Sequence, residues 1–186
     1  MGREVGHLLD QVEVLPGVPE AIQLLCGRGL KVAVITNQSA VGRGLLTEDE
    51  LRRIHRDLEG RLAASGARVD GFYYCPHHPT EGVGAYRVAC DCRKPNVGLA
   101  ERAAAELMLD LGRSYVVGDQ ATDMELAMRI GARGIFIQGR SPQTADRGPQ
   151  TEDRGAMGGA GQRSTVVVRD LLEAANWIVQ DFTGHK

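Results

Sequence analysis

The sequence predicts an α/β fold built on a doubly wound parallel sheet. Two observations carry the prediction. Short runs rich in β-branched and aromatic residues alternate with helical stretches along the chain. These runs are continuously apolar, as strands covered by helices on both faces are. The 186 residues, 42% hydrophobic and 25% charged, suit one globular domain spanning 1–186.

The first element is a helix over 17–28. Pro16 stands just before it, and Val18, Ile22, Leu25 and Cys26 share one face. Cys26 on that face reads as a core residue. Residues 31–36 form a strand that ends at Thr36. Thr47 opens a helix over 48–64, and Glu50 three residues on completes a capping box. A second strand covers 71–74, and helical pattern returns over 98–109. Residues 114–118 form a third strand, which ends at Gly118-Asp119. A helix over 122–130, strands over 134–137 and 165–168, and a helix over 169–180 complete the series. Right-handed crossovers join such strands. Ligands bind beyond their carboxyl ends, where Thr36 and Asp119 lie. Residues 140–163 contain no Val, Ile, Leu, Phe, Tyr, Trp or Cys. Such a segment buries too little apolar surface to offset its ordering entropy and reads as a flexible surface loop.

Charge and hydropathy exclude several classes. Lys and Arg total 22 against 24 Asp and Glu, a net charge of −2 without the basic excess of a nonspecific nucleic-acid binder. No run of about 18 apolar residues provides a membrane span. The opening MGREVGHLLDQ lacks the apolar stretch of a signal peptide. The expectation is a cytoplasmic monomer with neither nucleic acid nor membrane as partner.

Three of the four cysteines cluster with two histidines, as Cys75-Pro-His77-His78 and Cys90-Asp-Cys92. Three thiolates and one imidazole make a closed tetrahedral set for Zn²⁺. Two close pairs separated by a loop are the usual layout of a zinc loop. His77 forms the tight C-x-H pair and is preferred over His78. A site with four protein ligands is structural, so this zinc holds a loop over 75–92 and does not activate water. A disulfide is the lesser reading in a chain without a secretion signal.

Three short motifs converge on phosphate chemistry. Thr36-Asn37-Gln38-Ser39 follows a strand and offers a hydroxyl, amides and backbone N–H groups. Arg93-Lys94-Pro95 follows Cys92 directly, so the proposed metal orients both a guanidinium fork and an ammonium. Asp119 and Asp123 stand at the third strand's end, where paired carboxylates suit Mg²⁺. Each motif alone is weak. Their order on these strand ends is what gives them weight.

The set TNQS, YYCPHHP, CDCRKP and VGDQATDM resembles the haloacid-dehalogenase (HAD) phosphatase superfamily. Within it, the chain is similar to the D-glycero-D-manno-heptose 1,7-bisphosphate 7-phosphatases and to the histidinol-phosphate phosphatases, from about residue 5 to residue 138. The resemblance implies a HAD-like, Rossmann-type fold. It implies hydrolysis of a small phosphorylated sugar, by removal of the 7-phosphate through an aspartyl-phosphate with Mg²⁺. Histidinol phosphate is the alternative substrate.

By the same resemblance, Thr36 binds the transferring phosphoryl group and Asn37, Gln38 and Ser39 line the substrate site. Lys94 neutralises charge on nucleophile and phosphoryl oxygens. Arg93 contacts the substrate, Asp119 ligates Mg²⁺ and Asp123 supports that site. Cys75, His77, Cys90 and Cys92 shape the substrate-selecting loop. Gln120 joins the substrate site where the family often carries Lys. The family's Asp-x-Asp-Gly, source of nucleophile and general acid, has no counterpart here; Asp10 has no Asp two residues on. The expectation is a chain that starts after this motif and is inactive as given. It would lack a central strand between those ending at Thr36 and Asp119. Each unsatisfied backbone group left in the core would cost about 1–3 kcal/mol. A zinc-stabilised module that binds phosphate without catalysis is the further alternative.

Overall fold

A computed structural model describes residues 12–138 and 165–184. The 140–163 loop and Asp10 therefore lie outside the described residues. Five strands are described: β1 Ala33–Asn37, β2 Gly71–Cys75, β3 Tyr115–Gly118, β4 Arg133–Ile137 and β5 Val166–Val168. The helices are α1 Val18–Gly27, α2 Ser39–Gly42, α3 Glu48–Ala64, α4 Gly98–Leu107, α5 Ala121–Arg129 and α6 Leu171–Gly184. Short 3₁₀ turns cover Gly84–Tyr86 and Leu111–Arg113.

All strand pairs are parallel, in two pieces: β1 with β2, and β3–β4–β5. The strands of the first piece bury alternate residues on opposite faces. Val32, Val34 and Phe72 pack with α1 and α3 around Ile22 and Leu62. Ala33, Ile35, Tyr73 and Cys75 pack against Leu99 and Ala103 of α4. Beneath the second piece, Ala21 and Leu25 of α1 meet Ala174, Ala175, Ile178 and Val179 of α6 around Ile135 and Val168. Helix α5 packs on β3 and β4. Helices thus cover both faces, as continuous apolar strands require. No helix among the described residues is long and apolar enough to cross a membrane.

The break between the two pieces falls beside β1 and β3. The Val32 carbonyl accepts from Asp70 N–H on the β2 side, and Gln38 N–H donates to Cys75 there. The period of two turns the Ile35 carbonyl to the opposite edge. What that carbonyl meets there is the side chain of Lys94, with Nζ at 2.9 Å.

Most predicted elements stand within two residues of their observed bounds. The capping box of α3 is present: Thr47 Oγ1 accepts from Glu50 N–H, and Glu50 Oε2 accepts from Thr47 N–H at 2.8 Å. Helix α4 stops two residues early because Met108 turns left-handed at φ 56°. Helix α6 runs on to Gly184, with Asp170 Oδ1 accepting from Glu173 N–H at its start. Cys26 is half-buried against the α1–α3 cluster.

Candidate active site and metal centre

The strand ends bring the predicted motifs together around Lys94. Its ammonium donates to the Ile35 carbonyl and to Asp123 Oδ1, the latter at 2.7 Å. Asp123 is 5% exposed, and its other oxygen accepts from Gln120 N–H at 3.2 Å. Both Asp123 oxygens are thus engaged at the start of α5. Gly118 is required here, since a Cβ would overlap the Asp123 carboxylate. Asp119 is exposed at the carboxyl end of β3.

Asn37 is occupied by the same lysine. Its Oδ1 accepts from Lys94 N–H at 2.9 Å and its Nδ2 donates to the Lys94 carbonyl at 3.1 Å. This two-point clamp places the Arg93-Lys94 turn against the end of β1. The Lys94–Pro95 peptide in that turn is cis. Gln38 Nε2 donates to Thr36 Oγ1 at 3.2 Å. Arg93 Nη1 donates to Ser39 Oγ and to the His77 carbonyl, each at 2.9 Å. Arg93 therefore ties the TNQS turn to the cysteine loop. Gln120 is exposed and caps α5.

Cys75, His77, Cys90 and Cys92 converge so that one donor atom from each lies within 4.8 Å of the others. Sulfur–sulfur separations are 3.2–3.5 Å and His77 Nδ1 lies 3.3 Å from Cys92 Sγ. Those gaps are too long for disulfides, whose S–S length is about 2.05 Å. They approach the edge of about 3.8 Å that tetrahedral Zn–S bonds of about 2.3 Å imply. Burial pushes the Cys75 and Cys92 thiols up, and neighbouring sulfurs add to the rise at Cys92. Three sulfurs in such proximity would ionise together only around a central cation. His78 is engaged elsewhere, its Nδ1 accepting from Glu81 N–H at 3.0 Å. This is the only cluster of three or more potential metal ligands among the described residues.

Several site contacts were not foreseen. Asn96 Nδ2 donates to the Cys90 carbonyl at 2.7 Å, and its Oδ1 accepts from Arg129 at 3.0 Å. It links the cysteine loop to α5. Glu48 Oε2 accepts from Tyr74 Oη and Oε1 from Tyr86 Oη, each at 2.7 Å. Glu48 sits one residue past the Thr47 cap, where an acid reads simply as first-turn helix chemistry. No motif separates its second role from that one.

Known proteins resemble this chain in sequence and fold. The family model described as "HAD-hyrolase-like" matches residues 91–174. A D-glycero-beta-D-manno-heptose-1,7-bisphosphate 7-phosphatase of Rhodopseudomonas palustris is 41% identical over 130 residues, 70% of this chain and 72% of that protein. The protein of the same name from Escherichia coli is 39% identical over 122 residues, covering 66% of this chain and 64% of its own length. The crystal structure of D,D-heptose 1,7-bisphosphate phosphatase from B. bronchiseptica, complexed with magnesium and phosphate, superposes with a TM-score of 0.72. It is 30% identical, across 93% of this chain and 87% of that one. A parallel sheet with cations and carboxylates at its strand ends is the architecture of a HAD-like phosphatase. The chain belongs to that class, in the family of the heptose 1,7-bisphosphate 7-phosphatases.

Proposed function

We propose that this site removes the 7-phosphate from D-glycero-D-manno-heptose 1,7-bisphosphate. One observation carries the reading: the Lys94 ammonium is fixed between the Ile35 carbonyl and Asp123, beside Thr36. An ammonium held before substrate arrives costs no reorganisation when phosphoryl charge develops. Thr36 Oγ1 binds the transferring phosphoryl group. Arg93, braced by Ser39 and the cysteine loop, faces the second phosphate, for which a guanidinium fork is suited. Gln38 and Gln120 line the sugar, and Asn37 serves through its clamp on Lys94.

Zn²⁺ is the metal that the Cys₃His donor set fits, with a structural role. Asp119 fits Mg²⁺, which commonly takes one or two carboxylates and completes its shell with water and substrate phosphate. When bound, Mg²⁺ would supply charge neutralisation at the phosphoryl oxygens. Asp123 supports that site by holding Lys94.

A second reading has one specific observation behind it: the sequence contains no Asp-x-Asp. Without a nucleophile carboxylate no aspartyl-phosphate forms, and the 186-residue chain binds without turnover. Calorimetry with heptose 1,7-bisphosphate and phosphate-release kinetics with Mg²⁺ separate the readings. Binding with release at ordinary enzyme rates, about 1 s⁻¹ or faster, supports the phosphatase and removes the second reading. Binding without release supports the second. Absence of binding, or equal binding of Lys94→Met, overturns both.

A further inference from the structure

The lobe of the cysteine loop between its two ligand pairs, residues 78–88, has little core of its own. Gly82 is its only buried residue, and Val83 and Val88 are 63% and 43% exposed. Such a segment is held by polar anchors or not at all. The His78 N–H to Tyr86 carbonyl bond closes the lobe on itself at 3.0 Å. The Val83 N–H donates to the Gly42 carbonyl at 2.8 Å, which joins the lobe to the TNQS side of the site. A Cβ on Gly42 would collide with the Pro76 carbonyl, so the two loops touch along their backbones. The Arg43–Glu81 pair, at 44% and 56% exposure, contributes little.

The remaining anchor is Glu48. It stands at the first helical position of α3, where the helix dipole favours an anion. One carboxylate oxygen takes the Tyr74 hydroxyl from β2 and the other takes the Tyr86 hydroxyl from the lobe, both at 2.7 Å. Hydrogen bonds to an ionised acceptor are about twice as strong as neutral ones. The Tyr86 ring also lies 6.2 Å from the ring of the ligand His77. We propose that Glu48 is a positioning residue for substrate selection: through Tyr86 it latches the 78–88 lobe to the sheet, as a tether additional to the cysteine cluster, so that the lobe borders the sugar. This rests on the proposed function for its substrate, though not for the latch itself.

The test uses the full, metal-loaded chain with Tyr86→Phe and Glu48→Gln. Tyr86→Phe removes one hydroxyl and leaves the fold intact should the Glu48 variant fail. Amide hydrogen exchange across 78–88 is expected to quicken about tenfold in both, with α1 and α6 unchanged. Affinity for heptose 1,7-bisphosphate is expected to weaken about fivefold to tenfold. Affinity for inorganic phosphate, which needs only the Thr36 and Lys94 region, is expected to hold. A merely structural role would weaken both ligands together. Unchanged exchange in Tyr86→Phe, or equal losses for the two ligands, overturns the proposal. If the unsubstituted protein binds neither ligand, the proposed function fails, and the exchange rates alone decide the latch.

Discussion

His55 shows how a single side chain couples this fold to pH. Its ring stacks on Phe72 at a centroid distance of 5.0 Å and meets Tyr74 edge-on at 5.7 Å. Burial pushes its imidazole below the ordinary 6.5. The folded state therefore resists protonation, while the unfolded chain takes the proton at its usual pH. Stability from this residue is whole above about pH 6.5 and is lost as pH falls from there through the lower folded value. Urea midpoints at about pH 7.5 and about pH 5.5 should differ less in His55→Phe than in the unsubstituted protein. Equal differences would refute this. Among the site residues, the three loop cysteines are legible because close Cys/His pairs have few other uses, whereas Thr36 and Lys94 gain weight only from the order of their motifs on the strand ends. The contacts that Asn37 and Glu48 make are not legible. Their partners, Lys94 and Tyr86, are distant in sequence, and an amide or carboxylate in a turn has many ordinary uses.

At the scale of elements, the junction of β3 and α5 decides whether the site forms. The strand must end where the Asp123 carboxylate returns over it, and only a residue without Cβ permits that approach. Gly118→Ala should lower unfolding stability by about 1–3 kcal/mol, as overpacking does, and should weaken phosphate binding because Lys94 loses its partner's position. Urea titration and calorimetry read the two effects. An unchanged urea midpoint would show that the Asp123 carboxylate moves aside freely. The long helix α3 and its cap are legible because 17 residues carry several turns of pattern and a capping box. Helix α2, four residues long, is too short to show a period. The end of α4 is equally silent, since a left-handed Met108 carries none of the signal a glycine would.

Across the whole molecule, two sheet pieces meet beside a single lysine. Lys94 donates to the edge of β1 turned away from β2 and to Asp123 beside the end of β3, so among the described residues a side chain spans the break. The loop that delivers it starts at the cysteine cluster, and Asn96 carries that cluster's position on to α5. Stripping the metal with a chelator should expose residues 76–92 to protease and leave far-UV helical signal nearly intact. The melting temperature should fall by about 4–8 °C, the shift about 2 kcal/mol produces in a chain of this size. Protection equal in the stripped and loaded protein would refute a metal-held loop.

By itself, the sequence determined the alternation of strands and helices, the Cys75, His77, Cys90 and Cys92 quartet and the order of the strand-end motifs. These are local properties: hydrophobic period, capping chemistry and close spacing act within a few residues. Tertiary structure alone decided that His78 Nδ1 takes the Glu81 N–H. It alone spent Asn37 on Lys94 and both Asp123 oxygens on Lys94 and Gln120. It also gave Glu48 a second partner across the loop. Those outcomes depend on which carbonyls and carboxylates come within about 3 Å once strands pair and helices pack, and no spacing along the chain encodes that distance.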